Sequence, residues 1–412
     1  MEILRITTAG SVDDGKSTLI GRLLYETDSL KIDQVETIEE KSKSLGYDYI
    51  DFSLATDGLL TEREQGITID VSHLYFSTPK RRFIIADAPG HVEYTRNMVT
   101  GASNVDVAII LLDARKGVME QTKRHLYITQ LLGINQLVIT INKMDLIDYD
   151  EIQFNAIQQE IEKLISDYDW TPNCHFIPVS ALKGDNVIAK SHKMPWYKGI
   201  DLLSLIENLN LDEAVHGEGL MQVQHVIRPK TEEYHDYRGF AGKIKSGRFN
   251  PGDEIEVFPS GQKSKIKSIE KYGVKQNTTA IGENATLLLE DEIDASRGNT
   301  LVIANNKLKT EKLINAKICW MQNETLNPNG KYWLQQGVYK CLIKVKEVTA
   351  KMDWESWKSV PTDNLNMNDI GEVALQLAQP LLHAPYHKNK NLGAFILIDS
   401  HTNNTAGVGF IQ

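Results

Sequence analysis

The sequence predicts a mostly parallel, doubly wound α/β domain followed by two small antiparallel β-barrels. The chain has 412 residues, which is too many for one ordinary hydrophobic core. In its first half, continuous apolar runs alternate with helical patterns, as in parallel strands covered on both faces. In its second half, short alternating runs are separated by Pro- and Gly-containing turns, which is typical of small barrels. We expect domains at 1–212, 213–308 and 309–412.

The expected elements of the first domain are buried strands and amphipathic helices. The strands are predicted at 3–9, 83–86, 107–112, 137–141 and 176–179. Helices are predicted at Ser17–Tyr25 and around Phe154–Ile165, while the polar segment Thr27–Gln65 is the least regular part. The barrel strands are predicted at 242–244, 253–257, 265–269, 285–289, 314–320, 340–348, 372–377 and 395–398.

Composition restricts the class of protein. Hydrophobic residues make up 41% and charged residues 24%, both close to the averages of globular proteins. The net charge of −10 argues against a protein that coats nucleic acid, although a local basic patch stays compatible with it. Cys174, Cys319 and Cys341 are widely spaced, which favours reduced thiols and no zinc site. With no signal peptide and no long apolar run, we expect a cytoplasmic protein without membrane spans.

A phosphate-binding loop is predicted at Gly10–Ser17, where GSVDDGKS matches the pattern G-x-x-x-x-G-K-[ST]. The match follows a predicted strand and opens a helix, so a simple Gly-rich turn is the less favoured interpretation. Lys16 is expected to reach the β- and γ-phosphates, and the Ser17 hydroxyl to ligate Mg²⁺. The nucleotide contacts expected in this part of the chain are Gly10, Ser11, Val12, Asp13, Asp14, Gly15, Lys16, Ser17 and Thr18.

A second group of residues is expected around Mg²⁺ and the γ-phosphate. Asp87 ends a strand, where a carboxylate can hold Mg²⁺, and the N–H of Gly90 can approach the γ-phosphate. Thr68 is placed to complete the metal shell, and His91 to orient the attacking water. Alone, each of these residues has a plain structural interpretation, as a turn or as the start of a strand. We assign catalytic roles to His91, Thr68 and Lys16, and metal ligation to Ser17, Thr68 and Asp87.

The segment Asn142-Lys143-Met144-Asp145 predicts that the base is guanine. The Asp145 carboxylate can accept hydrogen bonds from guanine N1–H and N2–H₂, whereas adenine would leave it unpaired. The stem of Lys143 can lie along the base, and Ser180-Ala181-Leu182 can offer a backbone N–H to guanine O6. A surface loop after a strand is the alternative for the first segment taken alone. All these groups follow predicted strands, where a doubly wound sheet binds its ligand, so the first domain is interpreted as a P-loop GTPase with GTP and Mg²⁺ as cofactors.

This ordered set of motifs resembles the translation-factor class of GTPases, which carry a GTPase domain and two β-barrels. The resemblance implies that Gly66–Ile69 is the first switch and Asp87–His91 the second. It also implies that Val12 and Ile67 flank His91 as an apolar gate. In that class, a loop aspartate matching Asp13 is linked to a monovalent cation.

Within the class, the sequence is most similar to the GTPase subunit of bacterial sulfate adenylyltransferase. The similar stretches are 10–24, 57–59, 62–70, 94–98, 368–371 and 393–399. The resemblance implies that GTP hydrolysis drives formation of adenylyl sulfate and pyrophosphate from ATP and sulfate. A separate small catalytic subunit would bind ATP and sulfate and transfer the adenylyl group. Without a second phosphate-loop motif, no adenylylsulfate kinase activity is expected.

The alternative interpretation is a translation elongation factor that delivers aminoacyl-tRNA. Those carriers usually have His at the position of Ser11 and commonly His or Ser at that of Asp14. These two residues and the acidic net charge favour sulfate activation, and make nucleic acid an unlikely partner. The segments His383–Pro385 and Gly407–Phe410 depart from the sulfate adenylyltransferase pattern.

Overall fold

The structure, a computed structural model, describes residues 2–55, 72–88, 97–99, 105–168, 170–211, 217–229, 236–304 and 308–412. The chain divides into two compact units, Met1–Leu211 and Asp212–Gln412. The limits of three domains expected from the sequence stay predictions. Among the described residues, no helix is long and apolar enough to cross a membrane, and all three cysteines are free.

The first unit is built on a six-stranded sheet with the strand order β2-β3-β1-β4-β5-β6. All neighbouring strands are parallel except β2 and β3, which run antiparallel. The strands are β1 Ile3–Gly10, β2 Ser72–Ser77, β3 Arg82–Asp87, β4 Val107–Asp113, β5 Gln136–Asn142 and β6 Asn173–Pro178. The predicted mostly parallel sheet is confirmed. Strand β2 was not predicted, because it is an edge strand with mostly exposed or half-buried side chains.

The helices of the first unit surround this sheet. Those whose bounds lie within the described ranges are α1 Lys16–Glu26, α2 Ile32–Ser44, α3 Glu120–Leu131, α4 Glu151–Asp167 and α5 Leu202–Asn208, with short 3₁₀ helices at Phe52–Ala55 and Met144–Ile147. The predicted helices α1 and α4 are confirmed. The expectation of an irregular segment was wrong for α2, which buries only Ile38 and Ser42 and therefore lacks an apolar stripe in the sequence.

The core of the first unit lies along the central strands. Every residue of β4 and of β5 is buried, because helices cover both faces of a parallel sheet. Helix α1 packs closely at Gly21, where a Cβ would collide with the backbone of Phe52. The core therefore holds the beginning of α1 and the carboxyl ends of β4 and β5 in fixed relative positions.

The second unit contains two closed antiparallel barrels, as predicted. In the first, strands β10-β14-β7-β9-β13-β11 form a ring that closes through β10–β11; in the second, the ring β16-β20-β21-β15-β19-β17 closes through β16–β17. The strands of the first are β7 Leu220–Gln222, β8 His225–Ile227, β9 Gly239–Ser246, β10 Glu254–Phe258, β11 Gln262–Lys271, β12 Val274–Gln276, β13 Asn284–Leu289 and β14 Thr300–Ile303. Those of the second are β15 Lys309–Trp320, β16 Tyr332–Gln336, β17 Tyr339–Asp353, β18 Lys358–Pro361, β19 Ile370–His383, β20 Ala394–Asp399 and β21 Thr405–Ile411, with the short helix α6 Lys390–Gly393.

Candidate functional site

Polar residues end neighbouring strands along one edge of the first sheet. Asp87 ends β3, Gly10 ends β1, Asp113 ends β4 and Asn142 ends β5, while Ser180 follows β6 by two residues. These strands stand side by side in the order β3-β1-β4-β5-β6. The carboxyl edge of the sheet therefore brings together the segments that the sequence motifs single out, at the position where doubly wound sheets bind ligands.

The loop between β1 and α1 is held in a tight turn by its own side chains. The Ser11 N–H donates to Asp14 Oδ2 at 2.7 Å, and the Asp14 N–H donates to the Ser11 carbonyl at 3.2 Å. The backbone is left-handed at Asp13, with φ 69°, and at Gly15, with φ 90°. A Cβ at Gly15 would collide with Asn142 Nδ2, so this position requires glycine.

This loop has the features of a phosphate cradle. Helix α1 begins at Lys16 with no side chain capping its N-terminus, so its first N–H groups and its positive dipole end face the loop. The hydroxyl of Ser11 is buried and has no hydrogen-bond partner among the described residues. Ser17 and Thr18 lie half-buried in the first turn of α1. A phosphate group fits this donor set.

Lys16 and Asp87 form a buried ion pair beside the loop. Lys16 Nζ lies 3.2 Å from Asp87 Oδ1 and also donates to the carbonyl of Ala88. The Thr8 hydroxyl donates to the same carboxylate oxygen at 3.0 Å. Asp87 is thus fixed at the strand end predicted for it, and its charge is balanced by the lysine that the sequence assigns to the phosphates.

Asn142 joins the phosphate-binding loop to the loop after β6. Its Nδ2 donates to the Asp14 carbonyl at 2.7 Å, and its Oδ1 accepts from the Ala181 N–H at 3.0 Å. We expected the segment Ser180–Leu182 to offer a backbone N–H to guanine O6. In this structure the Ala181 N–H is bonded to Asn142 Oδ1, so the Ala181 N–H already has an acceptor within the protein.

The expected base-selecting carboxylate lies next to the same loop. Ser180 Oγ donates to Asp145 Oδ1 at 2.6 Å, which orients the carboxylate and leaves lone pairs for further donors. Arg22 on α1 binds the loop after β6. Its Nε donates to the Ala181 carbonyl at 3.1 Å, and its Nη2 donates to the Leu182 carbonyl. The predicted residues of the base site are therefore adjacent.

Asp113 and Arg115 are site residues that the motifs did not identify. Asp113 ends β4 and is fully buried, and its carboxylate contacts both Arg115 and Lys143. A carboxylate directly after the predicted strand 107–112 was the available signal, the same signal that singled out Asp87. Thr68, Gly90 and His91 lie outside the described residues.

Asp14 is a buried carboxylate within the phosphate-binding loop. It is 2% exposed, and burial raises its pKa to about 6, against the lowering effect of the Ser11 N–H and of Lys116. The nearby Asp113 raises the pKa further and Lys143 lowers it. The folded state favours the protonated form of Asp14. The free energy of unfolding therefore falls as the pH rises from about 4 to about 6.

We expect Asp14→Asn to stabilise the nucleotide-free protein at pH 7, by up to about 3 kcal/mol, because the amide still accepts from Ser11 without a charge. The gain should become small near pH 4 and disappear below that pH, where Asp14 is protonated in both states. Chemical denaturation of both proteins between pH 4 and 7 measures this. A difference in stability that is independent of pH would contradict the assigned burial effect.

Two family models match the chain. Residues 1–218 match the elongation factor Tu GTP binding domain, and residues 313–412 match the GTP-eEF1A C-terminal domain-like family.

Curated relatives match the chain from end to end. Sulfate adenylyltransferase subunit 1 of Alteromonas mediterranea is 45% identical over 413 residues, which covers 100% of this chain and 87% of the relative. The proteins of the same name from Bacteroides thetaiotaomicron and Francisella tularensis are each 44% identical, over 86% and 87% of their length. The crystal structure of sup35 complexed with GMPPNP is 22% identical, with a TM-score of 0.44, too low to add to the assignment. The chain belongs to the sulfate adenylyltransferase subunit 1 family and is an enzyme subunit with an elongation factor Tu-type GTP-binding domain.

Proposed function

We propose that this chain binds GTP with Mg²⁺ and hydrolyses it to drive the formation of adenylyl sulfate and pyrophosphate from ATP and sulfate. A separate small catalytic subunit binds ATP and sulfate and transfers the adenylyl group. The observation that carries this proposal is identity of about 45% along the whole chain to proteins named sulfate adenylyltransferase subunit 1. The acidic net charge and the free thiols fit a cytoplasmic enzyme.

The phosphate-binding part of the proposal rests on Gly10–Ser17 and on the N-terminus of α1. A bound phosphate would accept from the backbone N–H groups of the loop, and Lys16 would move from Asp87 to the β- and γ-phosphates. That move leaves Asp87 available, with Ser17 and Thr68, to hold Mg²⁺. The ion would neutralise charge on the phosphate oxygens. Asp13, an exposed residue of the same loop, is our candidate for a monovalent cation.

The hydrolytic part of the proposal assigns roles to residues of the two switches. His91 would orient the attacking water, and the Thr68 hydroxyl would be a ligand of Mg²⁺ in the GTP-bound protein. Gly90 donates its N–H to the γ-phosphate. Loss of that phosphate removes these contacts of both switches. A partner subunit can then bind the GTP-bound and GDP-bound conformations with different affinity.

Coupling is tested with the purified chain, its small subunit, ATP and sulfate, by measuring adenylyl sulfate with and without GTP. We expect GTP to increase the amount formed. His91→Ala should retain GTP affinity but lose the stimulation, because binding without hydrolysis supplies no driving force. The same amount of adenylyl sulfate with and without GTP would contradict the proposal. GTP-dependent retention of charged tRNA in a pull-down would support delivery of aminoacyl-tRNA instead.

The base specificity is tested with Asp145→Asn. An amide cannot accept from both N1–H and N2–H₂ of guanine, so we expect affinity for GTP to fall roughly 100-fold, or about 2.7 kcal/mol. Affinity for xanthosine triphosphate should rise, because its donor pattern suits the amide. Titration calorimetry with both nucleotides measures this.

Asp148→Asn is the matched control, since it removes an exposed carboxylate from the same loop. The control should bind GTP like the wild-type protein. Unchanged preference of Asp145→Asn for GTP would place the base elsewhere.

A further inference from the structure

Asp113 is a fully buried carboxylate between the phosphate-binding strand β1 and the base-binding strand β5. Its Oδ1 accepts from Arg115 Nε and from the Arg115 backbone N–H, each at 3.0 Å. Its Oδ2 accepts from Arg115 Nη2 at 2.6 Å and lies 3.1 Å from Lys143 Nζ. A buried carboxylate is costly unless charged donors surround it. Burial alone would raise the Asp113 pKa, but Arg115 and Lys143 hold it well below its usual range, so the group stays ionised.

Lys143 connects this carboxylate to the phosphate-binding loop. Its backbone is left-handed, with φ 62°, and its Nζ donates to the Asp13 carbonyl as well as pairing with Asp113. A lysine has a long flexible stem, so its position depends on the groups that hold its ammonium. Here one of these groups is the loop that would bind phosphates, and the other is Asp113.

Arg115 fixes the orientation of Asp113. Two parallel N–H groups of a guanidinium match a carboxylate geometrically and restrict its rotation. The side chain of Arg115 is 46% exposed, so it contributes little to the core. The charge of Asp145 acts on it in addition to that of Asp113, and both raise the Arg115 pKa, with the hydrogen bond to Asp113 as the largest cause. Arg115 follows the end of β4, on the same carboxyl edge of the sheet as Asp145, which follows the end of β5.

We propose that Arg115 is a positioning residue of the nucleotide site, which slows nucleotide release by holding Asp113 and, through it, Lys143. This inference rests on the proposed function. Without the guanidinium, Asp113 loses the hydrogen bonds from Arg115 Nε and Nη2. Of these four donors, the backbone N–H of residue 115 and Lys143 Nζ remain. The ammonium of Lys143 then has to satisfy the buried carboxylate more fully, which weakens its bond to the Asp13 carbonyl.

The test compares Arg115→Ala with Arg115→Lys by the rate at which a fluorescent GDP analogue dissociates. We expect Arg115→Ala to release it about tenfold faster, which corresponds to about 1.4 kcal/mol. Arg115→Lys keeps the positive charge without the paired N–H groups, so its release rate should lie between those of the wild-type protein and Arg115→Ala. The KM for GTP should change more than kcat, because none of the residues assigned to hydrolysis is altered.

Lys80→Ala is the matched control, because it removes an exposed cation of the same unit that pairs with a carboxylate, Glu207, at 3.0 Å. It should release the analogue at the wild-type rate. In a Lys143→Ala background, Arg115→Ala should add no further acceleration, because its effect is carried by Lys143.

Two results would overturn the inference: release from Arg115→Ala at the wild-type rate, or the same tenfold acceleration when Lys143 is absent. A fall in the thermal midpoint with unchanged release would show that the role is structural only. If the wild-type protein binds no guanine nucleotide, the proposed function fails and this inference fails with it. Wild-type binding with unaltered release from Arg115→Ala refutes this inference alone.

Discussion

The side-chain amide of Asn142 is the connection on which the rest of the site depends. It is 2% exposed and uses both of its ends, one for the Asp14 carbonyl and one for the Ala181 N–H. Two loops that are 128 and 39 residues away along the chain are thereby joined through one side chain. Neither loop can shift without breaking a buried hydrogen bond. The same contact explains why Gly15 has no side chain, since a Cβ would occupy the space of the amide.

Several charges along the carboxyl edge are paired with one another within the protein. Asp87 is paired with Lys16, and Asp113 with Lys143 and Arg115. Asp14 instead accepts from the Ser11 N–H, and burial raises its pKa. Lys16 also donates to the Ala88 carbonyl, and Lys143 also donates to the Asp13 carbonyl in the phosphate-binding loop. An anion that enters the loop therefore meets a lysine that is already buried beside it, so no further cation has to be desolvated.

The sequence predicts the central part of this arrangement because the physical signals there are local. Continuous apolar runs predict β1, β3, β4, β5 and β6. The sequence motifs follow the ends of four of these strands, β1, β3, β5 and β6. The edge strand β2 and the helix α2 were not predicted, because exposed elements need no apolar pattern. The barrel strands β7, β8, β12, β14 and β18 have three or four residues each, too few for a recognisable alternation.

The partners of individual side chains were beyond prediction for a different reason. The bond from Ala181 to Asn142, and the pairing of Asp113 with Arg115 and Lys143, depend on register between distant strands. Asp113 gave the same signal as Asp87 but belonged to no familiar motif. Thr68, Gly90 and His91 keep the roles expected from the sequence as predictions.

The central claim is that this carboxyl edge selects a guanine nucleotide. Titration calorimetry of the purified chain with GDP and with ADP, each in the presence of Mg²⁺, tests it most directly. We expect GDP to bind at least about 100-fold more tightly than ADP, because adenine leaves the polar groups around Asp145 unpaired. Equal affinity for the two nucleotides, or tighter binding of ADP, would contradict it.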